Sequence, residues 1–189
     1  LAKMEAAPPA PELDTTTVRD ITDLLSKGDC YCLNEKSSNP HTNLFVGDHR
    51  LGLVSDADEQ LMIHLQFNET VKVHSLRFVG FNLDSFDAEM APKVVKLFVN
   101  RPSMAFSDCE DVQPTEEFEL TESEMASPDG VEKLVRFVKF QRVNSLSVFV
   151  EENFGGDESA LGGLKVYGVP VLGTNMGDFK RQHPDPTQG

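Results

Sequence analysis

Cys30 and Cys32, separated by Tyr31 alone, are the first residues of this sequence whose type and spacing bear on chemistry. A dithiol can cycle to a disulfide, and it does so best where a helix N-terminus or a cation lowers one thiol pKa. A thioredoxin-type site needs two intervening residues and a strand-to-helix junction. Cys30-Tyr31-Cys32 has one intervening residue, so it is a candidate redox pair that lacks the reductase pattern. The third cysteine, Cys109, lies far along the chain. An odd, low count is no disulfide framework and suits a reducing compartment.

The histidines His41, His49, His64, His74 and His183 show no metal-ligand spacing, and no metal is assigned. Asp56-Ala57-Asp58-Glu59 gathers carboxylates just ahead of a strand. Such a group can hold calcium, meet a basic partner residue, or cap the strand. Asp56, Asp58 and Glu59 are taken as candidate partner-binding residues. A second acidic run spans 108–124, with eight carboxylates and no Lys or Arg. It reads as a solvated loop or a docking surface. No nucleophile elbow, phosphate-cradling loop or dinucleotide fingerprint occurs, and Gly155-Gly156 and Gly162-Gly163 read as turn glycines. No catalytic residue and no cofactor are assigned, and the expectation is a protein that is not an enzyme.

The formal charge of −14 comes from 31 acids against 17 Lys and Arg, and the basic residues are dispersed. A phosphate-binding surface needs clustered cations, so neither nucleic acid nor an anionic membrane is an expected partner. Sugar sites depend on exposed aromatic faces. This chain has no Trp, two Tyr and 13 Phe, the latter mostly at core-phase positions. No apolar run approaches the roughly 20 residues that cross a bilayer.

The elements that position these residues follow from periodicity. Residues 1–16, rich in Ala and Pro, form an expected disordered leader. Thr17 and Asp20 make a capping-box pattern ahead of Val18, Ile21, Leu24 and Leu25, which predicts a short N-terminal helix stopped at Gly28. From residue 61 the period becomes two. Leu61, Ile63, Leu65 and Phe67 form a buried face, with Met62, His64 and Gln66 on a polar one. Asn68-Glu69-Thr70 reads as a connection to a second strand over 71–81. The pairing of these two strands would let His64 face His74, and a shift of apolar phase places a bulge near His74 and Ser75. Further strands are predicted over 94–100, 117–120, 135–140, 146–150 and 164–169, with a turn at Ser127-Pro128-Asp129-Gly130. Ile63, Leu65, Phe67, Leu97, Val99, Leu146, Val148 and Val150 form the expected core. Short strands without alternating helices indicate an all-β antiparallel sandwich or jelly roll over 17–173. A polar tail occupies 174–189.

Several segments in order then resemble a known family. They are Cys32-Leu33-Asn34-Glu35, Asp56 to Leu61, Pro92-Lys93-Val94-Val95-Lys96, Val138-Lys139-Phe140-Gln141, Val143-Asn144-Ser145-Leu146, and Thr174-Asn175-Met176-Gly177-Asp178-Phe179-Lys180. Their series resembles the PITH domain, a proteasome-interacting module found behind a thioredoxin domain in some proteins and alone in others. The resemblance implies a galactose-binding-domain-like β-sandwich jelly roll, cytoplasmic and nuclear, that associates with the proteasome regulatory particle and has no enzymatic activity of its own. Asn175, Asp178, Phe179, Lys180 and Arg181 in the tail join Asp56, Asp58 and Glu59 as candidate partner-binding residues, and the expected state is a monomer. A carbohydrate- or calcium-binding jelly roll and a redox-regulated adaptor using Cys30 and Cys32 are the alternative functions.

Overall fold

A computed structural model describes residues 17–81 and 87–171. The leader over 1–16 and the tail candidates Asn175, Asp178, Phe179, Lys180 and Arg181 lie outside the described residues.

One long strand organises the sheet. In chain order the strands are β1 (Arg19–Asp20), β2 (Tyr31–Leu33), β3 (Leu53–Val54), β4 (Leu61–Val79), β5 (Pro92–Val99), β6 (Glu116–Glu119), β7 (Val131–Leu134), β8 (Val143–Asn153), β9 (Ala160–Leu161) and β10 (Gly163–Pro170). Two short helices intervene, α1 (Asp108–Asp111) and α2 (Glu122–Ala126). All pairings are antiparallel, in the order β1-β10-β4-β8-β5-β6, with β2 and β7 also paired to β4 and a separate β3–β9 ladder.

β4 runs 19 residues without a turn, which corrects the two-strand reading. Asn68-Glu69-Thr70 lies within the strand as an excursion, where the register against β8 jumps from Gln66↔Ser145 to Val71↔Val143. His64 and His74 therefore sit ten residues apart on one strand and do not pair. The bulge at His74 is present. Tyr167 opposes Ser75 and Gly168 opposes Val73, which leaves His74 without an opposite residue. An extra residue reverses the pleat, so the core-facing positions change from Val71 and Val73 to Leu76 and Phe78 while the face stays the same. The bulge also brings backbones together: a Cβ at Gly168 would lie 1.9 Å from the Lys72 carbonyl oxygen, and only glycine fits.

The main core joins Ile63, Leu65, Leu97, Leu146, Val148, Val150, Leu164 and Val166, all essentially inaccessible, with Phe67 buried and Val99 packed at its edge. Full burial of each such aliphatic contributes roughly 1.5–3 kcal/mol. The opposite sheet face, expected to be polar, is also covered. Met62, Phe98 and Phe149 pack under Met104 and Cys109, with Leu33, Phe106 and Val112 at the margin. The chain over 101–112 supplies this lid, and it buries His64 along with Met62.

Two further elements differ from expectation. No α-helix forms after Thr17. Asp20 Oδ1 accepts from the Thr22 amide at 2.9 Å, and β1 leads into a 3-10 turn over Thr22–Leu24. Ile21 and Leu25 are buried as predicted, but they are held by Ile21 N donating to Val166 O and by a bridge from Leu25 to Phe67. Pairing to β10 and β4 overrides a weak local helical pattern. No strand forms over the predicted 135–140: β7 ends at Leu134, and a 3-10 turn occupies Phe137–Lys139.

Candidate functional site

The carboxylates of Asp56, Asp58 and Glu59 occupy a corner built around Asn34. This residue follows β2 with φ +68°, a left-handed conformation that asparagine tolerates. Its side-chain Nδ2 donates to the Gln60 carbonyl at 2.7 Å and to Asp58 Oδ1 at 2.9 Å, while its Oδ1 accepts from the Ala57 amide at 3.0 Å. Its own carbonyl accepts from Asp56 N at 2.9 Å. Beneath lies a buried serine pair. Ser159 N donates to Ser55 Oγ at 2.7 Å, and Ser159 Oγ donates to the Glu59 carbonyl at 2.6 Å.

The three candidates are thus brought together, but in different roles. Asp58 Oδ1 also accepts from Gln60 N at 3.0 Å, so this carboxylate caps the entrance to β4. Asp56 is exposed and Glu59 half-buried, and neither carboxylate has a side-chain partner among the described residues. Glu35 next to Asn34 takes His41 Nδ1 at 2.9 Å, and Glu158 pairs with Lys36. Among the described residues no group of three or more His, Cys, Asp or Glu is arranged to hold a metal.

Cys30, just before β2, and Cys32 within it flank Tyr31 and pack toward the main core. Burial raises the Cys30 thiol pKa, against the pull of a hydrogen bond with Gln66. Burial, then Glu35, raises the Cys32 thiol strongly. Cys109 is pushed up to about 11, first by burial and then by Asp108. All three are free thiols held in the protonated form, which is the opposite of a reactive thiolate. Alternate residues of a strand have Cα atoms roughly 6.5 Å apart, near the upper limit for a disulfide.

Comparison with known proteins places this geometry. The sequence pattern of the PITH domain matches residues 11–184. The chain belongs to the PITH domain family. It is 36% identical over 152 residues to Thioredoxin-like protein 1 of Schizosaccharomyces pombe, covering 79% of this chain and 51% of that protein. It is 30% identical over 131 residues to PITH domain-containing protein 1 of Homo sapiens, covering 67% of this chain and 58% of the relative. The chain therefore spans about half to three fifths of these relatives' lengths. Among solved structures it resembles the CBM32-3 module from a family 31 glycoside hydrolase of Clostridium perfringens, with TM-score 0.54 and 15% identity over 82% of this chain and 94% of that one. It also resembles the C-terminal domain of a chitobiase from Bacteroides fragilis, with TM-score 0.55 and 18% identity over 78% and 98%. At these identities the likeness is one of fold, and it gives the sandwich as a galactose-binding-like jelly roll.

The PITH domain also carries a buried polar group that sequence patterning missed. His64 is stacked on Tyr31, with ring centroids 4.8 Å apart, and its Nδ1 lies 3.3 Å from Ser147 Oγ. Tyr31 donates to the Pro102 carbonyl at 2.7 Å and Ser147 to the Arg101 carbonyl at 3.3 Å. The trio thus pins the lid segment to the sheet. Burial lowers the His64 pKa, and the neutral imidazole is the form that fits. The acidic run is likewise structured: Glu116 in β6 pairs with Arg136, and Glu124 closes a capping box with Thr121 while pairing with Lys133.

Proposed function

We propose that this PITH domain is a non-catalytic protein-binding module that associates, as a monomer, with the proteasome regulatory particle in the cytoplasm and nucleus. The observation that carries this reading is the family match over 11–184. Two features agree with it. The thiols, two buried and Cys32 half-buried, are held protonated rather than poised for exchange. Asp56 and Glu59 project unpaired carboxylates from a rigid corner, which suits rim contacts to a basic partner. In the tail, Phe179 among Asn175, Asp178, Lys180 and Arg181 is the proposed apolar anchor, because one aromatic can supply much of a small interface's energy.

The test is affinity capture from cell lysate with the tagged chain, read by mass spectrometry across a salt series. Regulatory-particle subunits are expected at low salt. Recovery should decline as salt rises, because rim charges are screened beyond about 8 Å near 0.15 M. Deleting 174–189 should reduce recovery while leaving the thermal midpoint nearly unchanged. The double variant Asp56→Ala with Glu59→Ala should reduce it further at low salt. Failure of the intact chain to recover any regulatory-particle subunit at low salt overturns the reading.

A further inference from the structure

We propose that the outer edge of β7, with the adjoining basic end of the sheet, is a second docking surface, and that it takes an extended acidic segment of a partner protein with aliphatic residues at alternate positions. This deepens the protein-binding reading by naming the chemistry of a partner segment. It begins from an edge left open. Among the described strands β7 pairs with β4 alone, so its other side presents unpaired N–H and C=O groups. Exposed edges are normally guarded by charge. β6, at the end of the same sheet, carries exposed Glu117 and Glu119. On β7 the charges of Glu132 and Lys133 are taken up by Arg77 and Glu124, and an apolar pair beside them stays bare. Leu134 is 65% exposed, and Val138 four residues on is 69% exposed. Single exposed aliphatics are ordinary; a pair this close, on an open strand edge and its following turn, is the arrangement that strand addition uses.

Charge identifies the occupant. In a chain of net charge −14, residues 131–142 hold Lys133, Arg136, Lys139 and Arg142 against Glu132 alone. Lys133 and Arg136 are paired to Glu124 and Glu116, and Glu132 is paired to Arg77. Lys139 and Arg142 are exposed, without ion pairs among the described residues. The fold brings two more cations to this end. Val73 N donates to the Phe140 carbonyl at 2.9 Å, which sets Lys72 beside Lys139. Asn100 Nδ2 donates to the Arg142 carbonyl at 2.9 Å, which sets exposed Arg101 beside Arg142. Lys72 and Arg101 are also free of ion pairs among the described residues, and the adjoining acid is Glu69 on the β4 excursion. Four unpaired cations on an otherwise acidic protein make a local positive field that an acidic segment complements. The exposed aliphatics beside them favour protein over nucleic acid, whose phosphates gain nothing from Leu134 or Val138.

The probe is a synthetic ten-residue peptide alternating Glu and Val, titrated into the full isotopically labelled chain and followed by amide NMR shifts. A Lys-Val peptide and a short single-stranded oligonucleotide serve as comparators. Saturable shifts confined to 131–142 and the neighbouring 72–75 and 100–101 are expected with the Glu-Val peptide alone. Leu134→Ser with Val138→Ser should weaken binding by about tenfold or more, and Lys139→Glu with Arg142→Glu should do so and flatten the salt dependence. All four side chains are exposed, so the core signals should stay in place in both variants. Absence of saturable shifts, equal response to the Lys-Val peptide, shifts elsewhere, or preference for the oligonucleotide overturns the proposal. These outcomes are independent of proteasome capture: a regulatory particle recovered equally by wild type and Leu134→Ser/Val138→Ser sinks this surface as its docking site and leaves the family reading standing.

Discussion

Asn34 fixes the acidic corner with a single amide. It satisfies the turn over 57–60 and accepts a left-handed φ that most side chains resist. Asn34→Ala should cost about 2–4 kcal/mol, from unmet backbone partners and from strain at positive φ. Asn34→Gly should cost about 1 kcal/mol less, because it removes the strain alone; urea denaturation of both variants checks the ordering. His64 makes a different prediction. Its folded pKa lies below the ordinary value of 6.5, because its burial disfavours the cation. Below pH 6.5 the unfolded chain binds a proton that the folded chain does not, so stability is full above that pH and declines as pH falls toward the folded value. Unfolding free energy measured from pH 7.5 to 5 should fall by up to about 1.4 kcal/mol per unit from this group, and His64→Phe should flatten that slope. An unchanged slope would mean that the imidazole titrates freely beneath the lid.

At the scale of the elements, β4 is the strand on which the others depend, pairing with β2, β7, β8 and β10. Leu65→Ala at its inaccessible centre should cost about 2–5 kcal/mol, since the rigid walls contributed by β8 and β5 cannot close on the cavity. A loss under about 0.5 kcal/mol would contradict its core placement. Gly168→Ala should cost about 1–3 kcal/mol by forcing the Lys72 carbonyl away at the bulge, and it should weaken the β10–β4 register first, which amide exchange would report. β5, β6, β8, β10, both halves of β4 and its bulge were legible because alternation and its phase shift at His74 and Ser75 are local signals, whereas β1, β2, β3, β7 and β9 are too short to show a period. The unbroken course of β4 was not legible. Asn68-Glu69-Thr70 has turn composition, and it stays extended because its flanks pair with β8 and with residues 25 and 26 while the Thr70 carbonyl accepts from Val171 N. The lid over Met62 and His64 escaped for a related reason: alternation predicts one wet face, and nothing in 61–67 announces that a segment forty residues on will cover the other. The acidic corner was legible as a cluster, whereas the split of Asp58 into a cap and Asp56 and Glu59 into free carboxylates depends on Asn34, which is distant in sequence.

Across the whole molecule, the charge is unevenly arranged. The acidic corner lies at the entrance to β4, and the cations of 72, 101, 139 and 142 gather where β4, β8 and the turn before β8 meet. A sandwich with an open β7 edge and two oppositely charged regions is equipped to be gripped at more than one place.

The short pairing of β1 with β10 has a further consequence. Arg19 opposes Gly168 and Asp20 opposes Tyr167, so the chain enters the sandwich and leaves it through neighbouring doors, about one strand spacing apart. The two ends of the described chain therefore reach the surface side by side. The same closeness means the two ends can be joined by a short linker and the ring reopened at the Ser127-Pro128-Asp129-Gly130 turn without asking any strand of the main sheet to move.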